Sequence, residues 1–475
     1  MNRVPELKPS ILIVFGITGD LARRKILPAI YQLSKGKMLP ENTKILGISR
    51  RDVPIQEFLD NVNLCVNEKG GVCDPAVIEH VRAHTSMFKL DPLNDQDYIS
   101  LKEYLNHFEQ ENGGCMQRLF YLSIPPQVYG PIIDKLGQHG LNKECIHDQP
   151  TVKLLVEKPF GYDVESAESL IKETEKVFSE EQIYRIDHYL AKETAQNILK
   201  FRRHNPVFSS QWDAKHIHKI HVIAKETIGI ENRVNFYERV GAMRDLIQSH
   251  LMQLLSLTAM EMPEELNSDS VHASKHVFLR SLIPPDSTLG IHKQVVRGQY
   301  SSYKTETNNP NSHVETFVSM VLRSRDPEWQ HCEFKLTTGK SLDKHLTIIK
   351  VYFGATDPNV LSLRIQPDEG IDINLLIEQP GFAHELRKVK LNFSYSQTFD
   401  TSYDAYERVL VDAIRGDKLL FATKSEVMES WRILQPILDE WSKTSEDLII
   451  YPDGGKGPST RHLDKEFSAK LKSNI

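Results

Sequence analysis

Short apolar runs alternate with longer helical patterns through the first 190 or so residues of the chain. Ile11 to Phe15, Lys44 to Ile48, Leu119 to Ser123 and Lys153 to Val156 read as buried parallel strands, with helical segments between them. That rhythm predicts a doubly wound sheet. After about residue 200 the pattern changes to period two. His216 to Ala224, Phe317 to Arg323, Leu346 to Phe353, Leu361 to Ile365 and Val389 to Tyr395 alternate, and in the last Val389, Leu391, Phe393 and Tyr395 share a face. Few helices interrupt them, so a large, mostly antiparallel sheet is expected. Helices are predicted at Gly241 to Glu261, Asp404 to Arg415 and near Ser425 to Trp441, the last opened by Thr423 and Glu426 as a capping box. The expected architecture is an α/β N-terminal domain over 1–190 and an α+β domain over 191–475, the latter for substrate binding and oligomerisation.

Composition narrows the class. A chain of 475 residues with 40% hydrophobic content is long enough for two sizeable cores. Mean hydropathy of −0.39 and 26% charged residues describe a water-soluble protein. No apolar run approaches the roughly 18 residues that span a bilayer. The segment before Ile11 lacks the layout of a secretory signal. A cytoplasmic protein with no membrane partner is expected. The five cysteines are scattered, form no C-x-x-C pair, and read as reduced and structural, so neither a metal site nor a disulfide framework is expected. A net charge of −6 and a pI near 6.4 argue against binding nucleic acid, which needs a basic surface. A small anionic substrate remains compatible, because a few local cations outweigh the global sign.

The segment Ile11-Leu-Ile-Val-Phe-Gly16-Ile-Thr18-Gly19-Asp20-Leu21-Ala22 is strand, glycine turn, then helix. Glycines let the backbone approach a pyrophosphate, and the helix N-terminus offers free N–H groups. The spacing is G-x-x-G rather than G-x-G-x-x-G, and a plain structural turn has the same outline. The second strand adds information. A site for NAD usually ends it with an acid that binds the ribose hydroxyls. Here it ends in Ser49-Arg50-Arg51, with Arg50 placed to grip the 2′-phosphate of NADP. One charge-assisted hydrogen bond of about 1.5–3 kcal/mol favours NADP by one to two orders of magnitude. The first domain is therefore read as a Rossmann-like, NADP-binding one.

A second cluster is Arg185-Ile-Asp187-His188-Tyr189-Leu-Ala191-Lys192-Glu193. If a helix starts near Asp187, His188 and Lys192 share a face, and with Tyr189 they present the donors that a phosphate monoester requires. Lys158, in Glu157-Lys-Pro-Phe-Gly161, closes a parallel strand where such sheets place ligands, although a surface lysine fits equally well. Farther on, Glu226 ends an alternating strand, and Asp245 and His250 flank the start of an apolar helix. Five residues on a regular helix amount to about 140° of rotation, so the two face one cavity only if Asp245 lies at an irregular entrance.

Together these segments resemble the glucose-6-phosphate dehydrogenase family. The carrying motifs are G-x-x-G-D-L-A at Gly16 to Ala22, E-K-P-F-G at Glu157 to Gly161, R-I-D-H-Y-L-x-K-E at Arg185 to Glu193 and R-D-x-x-Q-x-H at Arg244 to His250. Gly339-Lys340, Asp404-Ala-Tyr-Glu-Arg408 and Trp431-Arg432 extend the likeness, in order, over nearly the whole chain. The resemblance implies hydride transfer from sugar C1 to the nicotinamide, giving a phosphogluconolactone. It implies His250 as general base, Asp187 as the carboxylate that orients it, and His188, Tyr189 and Lys192 on the phosphate. Glu226, Asp245 and Lys340 would orient the sugar, Lys158 would stand between sugar and nicotinamide, and Tyr129 would lie near the cofactor. Dimers built on the large sheet, or tetramers made of two such dimers, are implied as well.

Three departures stand out. Ala191 occupies a position where the family motif has glycine, and its methyl group would press on the phosphate pocket. His345 stands where the family has a basic residue that reaches substrate, beside Lys344. No match is found to the C-terminal residues with which some relatives hold a second, structural NADP, so that site is expected to be absent. Two rival readings stay open: a dehydrogenase for another aldose phosphate, and a non-catalytic sugar-phosphate sensor.

Overall fold

The computed structural model describes residues 7–68, 72–144, 151–286, 288, 290–355, 359–399 and 403–463, with the side chains of 63–68 outside the description. The chain forms two compact units: Met1–Gly161, Glu165–Ala191 and Tyr403–Lys424 make one, and Tyr162–Val164, Lys192–Ser402 and Ser425–Ile475 the other. Against the expected spans 1–190 and 191–475, Tyr403–Lys424 joins the first unit and Tyr162–Val164 the second.

In the first unit β1 (Ser10–Phe15), β2 (Lys44–Ser49), β3 (Thr85–Lys89), β4 (Gln117–Leu122), β5 (Val152–Glu157) and β6 (Ile183–Ile186) are parallel, in the order β6-β5-β4-β1-β2-β3. That is the doubly wound order with its switch between β1 and β4. β1, β4 and β5 are buried along their whole length, as strands covered on both faces must be. The return of Tyr403–Lys424 has a specific cause. β16 (Phe421–Ala422) pairs antiparallel with β6 at the sheet edge. Ahead of it, the helix Ala405–Arg415 is capped by the Asp404 carboxylate, which accepts from the Tyr406 N–H at 3.1 Å. No local pattern announces which sheet a two-residue strand will join.

The second unit holds a ten-stranded sheet. Its strands are β7 (Ile217–Lys225), β8 (Leu282–Ile283), β9 (Val295–Tyr300), β10 (Phe317–Ser324), β11 (Glu333–Gly339), β12 (Leu346–Phe353), β13 (Asn359–Gln366), β14 (Gly370–Glu378), β15 (Leu386–Ser394) and β17 (Leu448–Tyr451). The order is β15-β14-β13-β12-β7-β11-β10-β9-β17, with β8 on β10. Only β7–β11 and β9–β17 are parallel pairs, so the sheet is mostly antiparallel, as expected. β11 was not legible: Glu-Phe-Lys-Leu-Thr-Thr-Gly has polar residues on a face that the fold buries. The stretch Met243–Leu251 and the helix Met252–Ala259 pack on the central strands of this sheet.

A buried ion knot joins two helices of this unit. Glu426, on Lys424–Trp441, meets His272 Nδ1 at 2.7 Å and Lys275 Nζ at 2.9 Å, both from Ser268–Ser281. Burial alone would raise the Glu426 carboxyl, but Lys275 and His272 hold it down at about 2. One cysteine expectation is corrected: Cys115 is disulfide-bonded, whereas Cys73 and Cys332 are free. Spacing along a sequence does not reveal which thiols the fold brings together. Among the described residues no helix is long and apolar enough to cross a membrane.

Candidate active site

The first unit contributes a cleft of about 790 Å³ beyond the C-terminal ends of β1, β2 and β4. Gly16, Thr18, Gly19, Arg50 and Arg51 line it. Gly16 has φ +77°, and a Cβ there would lie 2.5 Å from the Ser123 carbonyl oxygen. Only glycine fits, and the backbone is thereby open to close approach. Asp20 points outward and pairs with Arg24 at 2.8 Å. Leu21 leads into a π-helical stretch, Ala22–Ile26, just ahead of Pro28. Proline lacks the N–H that a regular helix needs there, and the wider turn accommodates it. Ala22 is buried.

Arg50 and Arg51 differ in what holds them. Arg51 is tethered by an ion pair to Glu57, and its N–H donates to Ser49 Oγ at 3.3 Å. Arg50 is exposed. Tyr129 is buried, with its hydroxyl donating to the Leu122 and Glu157 carbonyls at 3.3 Å each, and it does not line the cleft. It braces the ends of β4 and β5 instead.

Lys158 follows β5 directly. The expected helix at Asp187 is corrected: Asp187 to Lys192 form a turn, and the helix Glu193–His204 begins after them with Lys192 as its N-cap. His188 and Lys192 therefore do not share a helical face. Asp187 prevents an earlier start, because its Oδ1 accepts from the Tyr189 N–H at 3.1 Å and closes a local turn. Ala191 lies in that turn and is not among the described residues with positive φ, so the glycine of the family motif is not demanded by the backbone here.

A group that sequence reasoning missed stands beside the turn. The Tyr406 ring stacks on His188 with centroids 6.1 Å apart, and Lys25 Nζ lies 5.9 Å from the Tyr406 centroid. Tyr121 donates to Glu157 Oε1 at 2.6 Å, and Tyr406 also hydrogen-bonds this carboxyl. Burial pushes Glu157 up to about 7, with Asp187 adding repulsion, while the tyrosines and Lys158 pull the other way. The motifs around Glu157 and Asp404 were visible in the sequence, but their convergence was not.

The second unit supplies the remaining candidates. Lys340 is almost wholly buried, makes an ion pair with Glu226, and lies 5.4 Å from the Tyr237 ring centroid. Asp245 and Glu226 both act on Tyr237, whose hydroxyl is pushed well up by burial and then by these carboxylates and Glu315. Lys340, paired with Glu226, thus lies against a tyrosine that the sequence did not single out and that Asp245 also influences electrostatically. His345 and Lys344 are exposed on the loop after Lys340.

The irregular geometry on which a shared face of Asp245 and His250 depended is present. Asp245 and His250 both lie within a π-helix, Met243–Leu251, rather than at the entrance of a regular one. Its i→i+5 hydrogen bonds bring residues five apart onto nearly one face. The stretch is set up at Gly241 (φ +62°), where a Cβ would meet Glu315 Oε1 at 2.4 Å. Glu315 accepts from Ala242 N–H through its carbonyl at 2.9 Å and from Met243 N–H through Oε1 at 3.0 Å. The wide turn thereby begins under a buried carboxylate. Glu261 falls outside the helix, which ends at Ala259. Asp187 belongs to the first unit and His250 to the second.

Comparison with known proteins agrees with these motifs. Residues 13–197 match the family model described as glucose-6-phosphate dehydrogenase, NAD binding domain, and 199–467 match the C-terminal domain of the same enzyme. Glucose-6-phosphate 1-dehydrogenase of Chlamydia muridarum is 36% identical, covering 96% of this chain and 95% of that protein. A solved structure of glucose-6-phosphate dehydrogenase in complex with its substrate glucose-6-phosphate superposes with a TM-score of 0.88 at 28% identity, covering 98% of each chain. The Mycobacterium avium glucose-6-phosphate 1-dehydrogenase structure gives 0.83 at 30% identity, covering 95% of each. Matched through both domains and over nearly its whole length, the chain belongs to the glucose-6-phosphate dehydrogenase family.

Proposed function

We propose that this chain oxidises D-glucose 6-phosphate at C1 to 6-phospho-D-glucono-1,5-lactone with NADP, the first step of the oxidative pentose phosphate pathway. The observation that carries the reading is the Lys340–Glu226 pair against Tyr237, a ring that Asp245 also influences electrostatically, with His250 one π turn beyond Asp245. That set offers donors and acceptors for sugar hydroxyls together with a proton acceptor. A non-catalytic sensor has no use for the last.

The cofactor half fits NADP. Gly16 admits no side chain, the loop leads into a helix N-terminus, and two arginines rather than an acid follow β2 into the cleft, with Asp91 lining it after β3. Gly16, Thr18 and Gly19, with Asp20, Leu21 and Ala22 shaping the turn behind them, would hold the pyrophosphate, and Arg50 the 2′-phosphate. When bound, NADP accepts the hydride. His250 removes the proton of the C1 hydroxyl, and Asp187 fixes its tautomer and stabilises its charged form. His188, Tyr189 and Lys192 hold the phosphate, while Lys158 orients the reacting end. His345 puts an imidazole where the family has a basic side chain, and so a weaker anion ligand.

We also infer a cytoplasmic homo-oligomer that binds neither nucleic acid nor membrane. The β14–β15 end of the large sheet supports self-association: Leu376, Ile377, Leu386 and Leu391 are exposed there. Native mass measurement tests it. For the reaction, kcat/KM for glucose, galactose and glucosamine 6-phosphates with NADP and NAD, followed at 340 nm, decides the reading. Preference for glucose 6-phosphate with NADP is expected. Preference for another sugar supports the first rival, and no NADPH at saturating substrate supports the sensor.

A further inference from the structure

Lys340 stands immediately after β11, and Ser341 behind it has φ +49°, a left-handed conformation that serine adopts only when its surroundings hold it there. The surroundings include the last residue of β17 and the segment that follows it. The Tyr451 hydroxyl donates to the Lys340 carbonyl at 2.7 Å. Gly454 N–H donates to the Ser341 carbonyl at 2.8 Å, and Asp343 N–H to that of Gly455 at 2.8 Å. Asp453 closes the arrangement. Its carboxylate accepts from Ser341 Oγ at 3.1 Å, from Ser302 Oγ at 2.6 Å and N–H at 3.1 Å, and from the Ser301 hydroxyl. One exposed carboxylate therefore ties the turn after β9 to the turn after β11. Glu226 and the Tyr237 ring fix the far end of the same lysine.

We propose that Asp453 and Tyr451 are positioning residues for Lys340, latching the strained turn so that its ammonium is aimed before the sugar arrives. The inference rests on the proposed function, since it takes Lys340 as a sugar ligand. A preset ligand avoids the ordering cost that a mobile lysine would add to binding. The carboxylate is a strong acceptor for several hydroxyls at once, which a neutral side chain would not match. The C-terminal strand is thereby part of the substrate apparatus, not a mere addition to the sheet.

The test is steady-state kinetics of wild type, Asp453→Ala, Asp453→Asn, Tyr451→Phe, Lys340→Ala and the Asp453→Ala/Lys340→Ala pair. Asp453→Ala is expected to raise KM for glucose 6-phosphate about tenfold, with KM for NADP within about twofold, because misplacing one ligand by about an ångström carries a cost of that order or more. Tyr451→Phe loses the hydrogen bond to the Lys340 carbonyl along with the contact to Thr316 Oγ1 at 2.8 Å, and should raise it about threefold. Asp453→Asn keeps one oxygen acceptor, should fall between the alanine variant and wild type, and serves if the alanine variant does not fold. In the Lys340→Ala background, Asp453→Ala should add nothing further to the sugar KM. An unchanged sugar KM in Asp453→Ala, equal shifts in both KM values, or additivity with Lys340→Ala overturns the latch. If Lys340→Ala is impaired while Asp453→Ala is normal, the latch alone fails. If the wild type forms no NADPH from glucose 6-phosphate, the proposed function fails and takes the latch with it.

Discussion

Two acid, histidine and lysine sets in this molecule look alike in composition and behave in opposite ways. In the second unit Glu426, His272 and Lys275 close on one another at 2.7 and 2.9 Å, all three buried. In the first unit Asp187, His188 and Lys158 accompany Glu157, whose direct partners are the neutral hydroxyls of Tyr121 and Tyr406. The core set cancels its own charge, so its acid is held at about 2. The other leaves its buried acid near neutrality, at about 7, beside Asp187. Self-neutralisation is what a structural knot requires. A set meant to receive a charged ligand has to leave charge uncancelled.

The most decisive test on the ligand-facing side is His250→Asn. As the proposed base it should lose kcat by about 10²–10⁴-fold, with affinity for glucose 6-phosphate nearly kept. Stopped-flow NADPH formation and calorimetric sugar binding separate the two. Wild-type turnover in this variant would remove the proposed chemistry. On the core side the counterpart is Glu426→Gln, which leaves Lys275 buried without its carboxylate. Breaking such a pair costs about 3–5 kcal/mol, read as a fall in the urea midpoint. The kcat of the folded fraction should stay within about twofold of wild type, since the knot is structural on this argument. A variant as stable as wild type would mean that the knot does not hold its helices.

How much of this contrast was legible follows from the range of each interaction. Strand, glycine turn, helix and the arginines after β2 are all local, so the sequence shows the cofactor cleft almost completely. Asp187, Lys158 and His250 are visible as members of motifs. What joins them is not. His272 and Glu426 are 154 positions apart and meet only through helix packing. Tyr406 reaches His188 because a two-residue strand returns to the first sheet. The π-helix at Met243–Leu251 supplies the irregular entrance that a shared face required, and no periodicity at that length reveals it. Tyr451 lies 111 positions from Lys340, and nothing local in the sequence ties the two together.

A smaller effect is expected at the cofactor cleft. Arg50→Ala should raise KM for NADP about 10- to 100-fold and leave that for NAD nearly unchanged, the equivalent of one charge-assisted contact of about 1.5–3 kcal/mol. Arg51 is already paired with Glu57, so Arg51→Ala should cost less than Arg50→Ala. Reversal of that order would move the 2′-phosphate contact to the tethered arginine.

The subtlest comparison is between the two buried acids as pH changes. Glu157 has its folded-state value raised from 4.5 to about 7, so between those values the native chain keeps a proton that the unfolded chain has released. Stability therefore declines as pH rises from about 4.5 to about 7 and is lower by a constant amount above that. Glu157→Gln keeps an oxygen for the two tyrosines and removes the ionisation. Its gain over wild type should be small near pH 4.5, grow through pH 7, and level off at roughly 1–3 kcal/mol by pH 8. Glu426 carries the opposite sign: a value held near 2 supports the fold above the ordinary carboxylate range, and that support is lost as pH falls towards 2. Urea midpoints at pH 5 and 8 for both glutamine variants should therefore diverge, with Glu157→Gln gaining on wild type at the higher pH while Glu426→Gln stays below wild type at both. Parallel behaviour of the two would show that tyrosine and lysine partners treat a buried carboxylate alike, and would remove the physical distinction between knot and site.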